Sequence, residues 1–177
     1  FTIVVMGGSQ GAKSINAAIK DIALDLIENY PIQIIHQTGQ KNYEEYMDSL
    51  NSDLRNNKYY LVKPYFENMA IPLLAADLVL ARAGSLSISE FNLCGLPSIL
   101  IPYPFAANNH QFHNAKAQEE IGASICLEDN LCDGDNLREI IIALFNDKDK
   151  LKKMSEAAQN LSRPHAREFI VQKLLSL

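Results

Sequence analysis

This 177-residue chain has few cysteines, no excess of basic residues and no long apolar runs. No apolar run approaches the ~20 residues of a membrane-spanning helix. The three cysteines (Cys94, Cys126 and Cys132) are scattered, odd in number and without metal-ligand spacing, which excludes a disulfide framework and reads as reduced thiols. Sixteen Lys and Arg against 21 Asp and Glu leave a formal charge of −5. A general nucleic-acid binder would show a basic face, so no nucleic-acid partner is expected. The dinucleotide fingerprint G-x-G-x-x-G and the phosphate loop G-x-x-x-x-G-K-[ST] are both missing. No Ser-His-Asp constellation or close pair of carboxylates can be assembled either.

Hydrophobic residues make up 47% and charged residues 21%, ordinary for one globular domain of this length. Short apolar runs read as strands at Thr2–Met6, Ile32–Gln37, Tyr59–Val62, Leu78–Ala81, Ser98–Ile101 and Ser124–Leu127. Helical spacing covers roughly residues 12–40 (a long first helix, with a successor near Asn42–Leu50), then Asn68–Ala75, Ser87–Cys94 and Asn109–Ile121. From Asp133 to Leu177 the tail reads as helical, with a break at Pro164. This alternation predicts an α/β fold, a parallel sheet of about six strands flanked by helices, with a C-terminal helical tail. Such sheets bind ligands beyond the carboxyl ends of their strands. The informative loops, Gly7–Gly11, Lys63–Asn68, Arg82–Ser87 and Pro102–Gln111, all follow strands and predict one cleft.

The stretch Ala81–Glu90 reads as a strand end, a small-residue turn and a helix start. Free N–H groups and the positive end of a helix dipole suit an anion such as a diphosphate. Glu90, one turn further in, suits the two hydroxyls of a ribose, or is a plain helix-surface carboxylate. Arg82 ends an apolar strand, where a lone cation is costly; it either neutralises a diphosphate or bridges to Glu90. Gly7, Gly8, Gln10 and Gly11 form a second turn that approaches a phosphate or merely packs strand against helix. Pro64–Met69 is a plain loop or a reader of a base edge. Ala107–Asn114 is rich in amide and imidazole groups, which donate and accept as sugar hydroxyls require; Asn108 or Asn109 also suits a helix cap. His110 and His113 lack a third ligand, so no metal is expected. Asp133-Gly-Asp135 reads as a capping turn, and His165 as a helix-start residue.

The segments Gly7–Ala12, His36–Gly39, Phe66–Met69, Ala76-Asp77, Arg82–Gly84 with Ser87–Glu90, Gly95–Pro97, and Asn109–Gln111 with Asn114-Ala115 occur in one order along nearly the whole chain. In these segments the chain resembles the C-terminal half of the MurG family. These bacterial transferases add N-acetylglucosamine to undecaprenyl-diphosphate-MurNAc-pentapeptide (lipid I) to give lipid II in peptidoglycan synthesis. The resemblance implies one half of a GT-B enzyme, a Rossmann-like domain holding the nucleotide sugar UDP-N-acetylglucosamine. Ser9 would then contact the diphosphate region and Phe66 would offer backbone groups to uracil. The run Ser85, Leu86, Ser87, Ile88, Ser89 and Glu90 would hold diphosphate and ribose. Gln111, with His110 and Asn114, would address the sugar. Two stretches depart from the family pattern: Arg82-Ala-Gly-Ser85 stands for Arg-Ser-Gly-Ala, and Asn108–Phe112 for Asp-Asn-His-Gln-Thr.

The implied chemistry is an inverting transfer in which the acceptor C4 hydroxyl attacks the anomeric carbon and UDP departs, with no cofactor or metal. Because strand-like sequence begins at Phe1, the chain is expected to be one donor-binding domain over residues 1–177 of a longer protein. The acceptor-binding domain, the catalytic base and most of the lipid I contacts would lie outside it, and the whole protein would be peripheral on the cytoplasmic side of the plasma membrane. The alternative is a non-catalytic nucleotide-sugar-binding subunit docking to a membrane-bound partner. An NAD-binding oxidoreductase domain is disfavoured by the missing fingerprint.

Overall fold

Six strands, β1 (Thr2–Met6), β2 (Gln33–Gln37), β3 (Tyr60–Lys63), β4 (Leu78–Ala81), β5 (Ser98–Leu100) and β6 (Ser124–Cys126), form one parallel sheet in the order β3-β2-β1-β4-β5-β6. The computed structural model describes residues 1–8 and 10–176. Every residue of β1 and β4 is buried, as a sheet covered on both faces demands. Side chains alternate across β1. Ile3 and Val5 join one core layer, Val4 and Met6 the other.

The first layer is built on α1 (Lys13–Asn29), which buries Ile15, Ala18, Ile19, Ile22, Ala23 and Leu26 at helical spacing. Each fully buried Ile or Leu there contributes about 1.5–3 kcal/mol of transfer free energy. The helix ends at Asn29, short of the expected reach to residue 40. Tyr30 is extended, Pro31 follows, and the β-branched run after it pairs with β1. Two short helices, α2 (Tyr43–Ser49) and α3 (Ser52–Arg55), close this side. Helix α3 was not expected from the sequence; the Asn51 side chain caps it by accepting the Leu54 N–H at 2.8 Å.

The second layer comprises α4 (Ala70–Ala75), α5 (Ser85–Cys94) and α6 (His110–Glu120), which bury Leu73, Phe91 and Ala115 against the sheet. The tail divides into three helices: α7 (Gly134–Asn146), α8 (Lys148–Leu161) and α9 (Ala166–Leu175). Asp133 caps α7 and Asp147 caps α8, each accepting the N–H three residues on at 2.8 and 2.9 Å. The capping turn expected at Asp133 is therefore present, as is the break at Pro164, between α8 and α9.

Strand order reverses between β1 and β4. The loops after these two strands diverge to opposite faces and leave a crevice at the carboxyl rim.

Candidate functional site

That crevice is a cavity of about 680 Å³. Its walls come from Gly7, Gly8, Gln10 and Gly11 after β1, Arg82, Gly84 and Ser87 after β4, Tyr103 to Phe105 with Gln111 after β5, and Asp129 after β6. Two helices begin on it. Neither N-cap residue, Ala12 for α1 or Gly84 for α5, supplies a capping side chain, and neither first turn holds an acidic residue. The first bonded amides are those of Asn16, to the Ala12 carbonyl, and Ile88, to the Gly84 carbonyl. Among the described residues this leaves the N–H groups of Lys13 to Ile15 and of Ser85 to Ser87 without a backbone acceptor. Two positive dipole ends facing one cavity are an arrangement that would suit an anion.

The glycines of this turn divide: Gly7 and Gly11 are packed against neighbouring backbone, and Gly8 is open. Gly11 has φ +76°, and a Cβ there would run into the Thr38 carbonyl in the loop after β2; a Cβ on Gly7 would run into Ala12, the N-cap of α1, so Gly7 is the glycine that lets strand pack on helix. Gly8 has φ +79° and nothing within 4 Å of an added Cβ; its open side is free for a ligand. Ser9 lies outside the described residues.

Arg82 does not bridge to Glu90. Its NH1 group donates to Asp129 Oδ1 at 2.6 Å and lies 3.2 and 3.3 Å from the carbonyls of Ile101 and Pro102. Its NH2 group donates to Ser14 Oγ at 3.0 Å, and Ser14 Oγ donates in turn to Asp129 at 2.6 Å. A cation at the end of a buried strand needs a partner, and one guanidinium here joins α1, the loop after β5 and the turn after β6. Sequence reasoning missed Asp129 and Ser14. The available signal was Arg82 itself, which called for a carboxylate on another loop of the same rim.

Gln111 accepts the Tyr103 N–H on Oε1 at 3.0 Å, which leaves its amide NH₂ for a ligand. Asn114 donates to the Ala83 carbonyl at 3.1 Å and holds the turn before α5. The exposed His110 donates from Nδ1 to the Ala107 carbonyl at 2.8 Å, which leaves Nε2 unengaged by these contacts. Asn109 holds the N-cap position of α6, directly after Asn108, but neither side chain caps the helix. Both are left-handed (φ 50° and 52°) and make no side-chain cap bond, because two successive left-handed residues turn the chain sharply into the helix.

In α5 the structure divides the predicted run. Ile88 is buried in the core with its N–H already bonded; Leu86 is exposed; Ser89 Oγ donates to the Ser85 carbonyl at 2.9 Å. Glu90 is exposed beside Ser89 and the Leu161–Arg163 segment, outside the cavity wall but one helical turn from Ser87, which lines it. Phe66 also lies off the wall. Its N–H donates to Gln37 Oε1 at 2.9 Å, and Gln37 Nε2 lies 3.5 Å from the Gly8 carbonyl. Buried Gln37 thus ties the loop after β3 to the glycine turn. Exposed Phe105 and Tyr103, edge to face at 5.7 Å between ring centroids, were not expected at the site; only their place in a loop after a strand pointed to them.

Behind the glycine turn a directed chain of hydrogen bonds crosses the first core layer. Tyr46 donates to Tyr60, Tyr60 donates to His36 Nδ1 at 2.7 Å, and His36 Nε2 donates to Asn16 Oδ1 at 3.0 Å. Asn16 Nδ2 donates to the Thr38 carbonyl at 3.1 Å, and Asn42 joins that carbonyl to that of Gln10. Burial pushes His36 down from 6.5 to about 3, so the ring is neutral. Burial, then Asp129, pushes the Cys132 thiol up to about 11.

The family described as "Glycosyltransferase family 28 C-terminal domain" matches residues 2–170. The chain is 41% identical over 174 residues, 97% of its own length, to a protein of Desulforamulus reducens, and 42% identical over 172 residues to one of Halothermothrix orenii. Both relatives are named UDP-N-acetylglucosamine–N-acetylmuramyl-(pentapeptide) pyrophosphoryl-undecaprenol N-acetylglucosamine transferase. The chain spans 47% and 46% of their lengths. The crystal structure of Acinetobacter baumannii MurG superposes with a TM-score of 0.84 at 30% identity, over 99% of this chain and 50% of that one. The architecture is that of one half of a GT-B glycosyltransferase, as the resemblance implied. By fold, by motif order and by these matches, the chain belongs to the glycosyltransferase family 28 C-terminal domain family.

Proposed function

We propose that this chain is the donor-binding domain, for UDP-N-acetylglucosamine, of an inverting transferase that converts lipid I to lipid II. The observation that carries this reading is the pair of uncapped helix starts, α1 and α5, facing one cavity at the strand-order reversal. The diphosphate lies across these N–H groups, over Gly8. The ribose hydroxyls reach Glu90 one turn along α5, and the base meets the Phe66 loop. The sugar faces the free amide of Gln111, with His110 and Asn114 at the edge of its subsite.

As the acceptor hydroxyl attacks the anomeric carbon, negative charge grows on the departing UDP. Preoriented N–H groups and helix dipoles favour that charge more than the ground state. Relatives about twice as long as this chain support placing the acceptor site and catalytic base in the rest of the protein. The lipid-linked acceptor in the relatives' names, a pyrophosphoryl-undecaprenol, is what supports reading the whole protein as peripheral on the membrane face where UDP-N-acetylglucosamine is supplied, the cytoplasmic one. Among the described residues no helix is long and apolar enough to cross a membrane.

Calorimetric titration with UDP-N-acetylglucosamine, UDP-N-acetylgalactosamine, UDP and NADH tests the reading. Saturable binding of the uridine ligands, tightest for UDP-N-acetylglucosamine and weakened by Glu90→Ala, is expected. Binding of NADH in place of them overturns it.

A further inference from the structure

The cavity is bordered by two cations, Arg82 and Lys13, and they stand in different electrostatic positions. Arg82 is already spoken for. Its side chain is only 13% exposed, Asp129 lies 2.6 Å away, and its two terminal nitrogens reach four protein oxygens. A diphosphate brought alongside would meet a guanidinium and a carboxylate whose charges largely cancel. Lys13 is the opposite case. It is exposed, begins α1 at the cavity wall, and among the described residues makes no ion pair or side-chain hydrogen bond. A dianionic ligand in this cavity therefore finds one uncommitted positive side chain, on a flexible stem that can follow a phosphate.

We infer that Lys13 supplies the counter-charge to the nucleotide diphosphate, while Arg82 is a positioning residue that fixes the rim through Ser14 and Asp129. This assignment rests on the donor-binding reading and deepens it. The ammonium lies on the same helix turn as the free N–H groups of α1. It opposes the charge that accumulates on the β-phosphate as the glycosidic bond breaks and the bonding pair leaves with UDP. No covalent step involves Lys13.

The test compares UDP with uridine, which shares the base and ribose but carries no phosphate. Lys13→Met is expected to weaken UDP about tenfold, the size of one charge-assisted hydrogen bond, and to leave uridine unchanged. Lys13→Arg retains UDP affinity to within about threefold, since charge is what the site requires. The salt dependence of UDP binding becomes shallower in Lys13→Met, because one screened contact is gone. Lys20→Met, on the same helix but away from the cavity wall, is the control for a diffuse field. Equal UDP affinity in wild type and Lys13→Met overturns the assignment and leaves the donor reading standing. Equal losses in Lys13→Met and Lys20→Met overturn it too. A folded wild-type chain that binds neither UDP nor uridine overturns the donor reading itself, and the role of Lys13 with it.

Discussion

His36 is fully enclosed between the Tyr60 hydroxyl and the Asn16 amide, with both ring nitrogens satisfied in the neutral state. Unfolding returns the ring from about 3 to its ordinary 6.5, so between these values the unfolded chain binds the extra proton. Its contribution to stability is therefore fully present above pH 6.5 and is lost as pH falls, at about 1.4 kcal/mol per unit. Urea titrations at pH 7, 6 and 5 on wild type and His36→Gln should give a steeper decline for wild type; parallel slopes contradict this account. The glycine turn allows a second comparison. Gly8→Ala should cost only about 1–2 kcal/mol, the strain of a left-handed alanine. Gly11→Ala adds a collision with the Thr38 carbonyl and should cost on the order of 3 kcal/mol or more by the same denaturation measurement. Cys132, with its thiol pushed up to about 11, should alkylate slowly at pH 8 and speed up with pH until that value. A rate that levels off near pH 8 would mean an ordinary exposed thiol.

Among the elements, the caps separate what local sequence decides from what packing decides. Asp133→Ala should cost about 1 kcal/mol by removing the bond to the Asn136 amide. Asn109→Gly removes no cap bond and suits the left-handed backbone, so it should cost less. Thermal melts of both variants decide between them. The strands were legible because a doubly covered sheet demands unbroken apolar runs, and Thr2–Met6 and Leu78–Ala81 appear as the sequence predicts. Helix α3 was not, since four residues carry no period and its cap is a lone asparagine. The cavity's loops were legible for a different reason: parallel topology sends every such loop to one rim, so Gly8, Arg82 and Gln111 meet. What sequence could not supply was pairing across loops. Arg82 with Asp129, and Gln37 with Phe66, join residues 47 and 29 apart and depend on sheet order.

For the whole molecule, a ligand that binds only the folded chain raises its stability by mass action. UDP at about a hundred times its dissociation constant adds about 2.7 kcal/mol, which for a domain of this size is a melting shift of roughly 5–10 °C. A melting curve indifferent to UDP would oppose the donor reading. The strand order also bears on the chain's synthesis. β1 is translated before both of its neighbours: β2 follows soon, but β4 lies some 70 residues further on. At about 5–20 residues per second, one edge of β1 waits about 4–14 s for its partner. Throughout that interval Ile3-Val-Val-Met6 presents unpaired backbone groups between apolar side chains, a template for neighbouring nascent chains on the same message. The sequence separation of two strands that pair in the finished sheet thus becomes a waiting time on the ribosome, and slowing translation between β2 and β4 should raise the aggregated fraction of newly made chain.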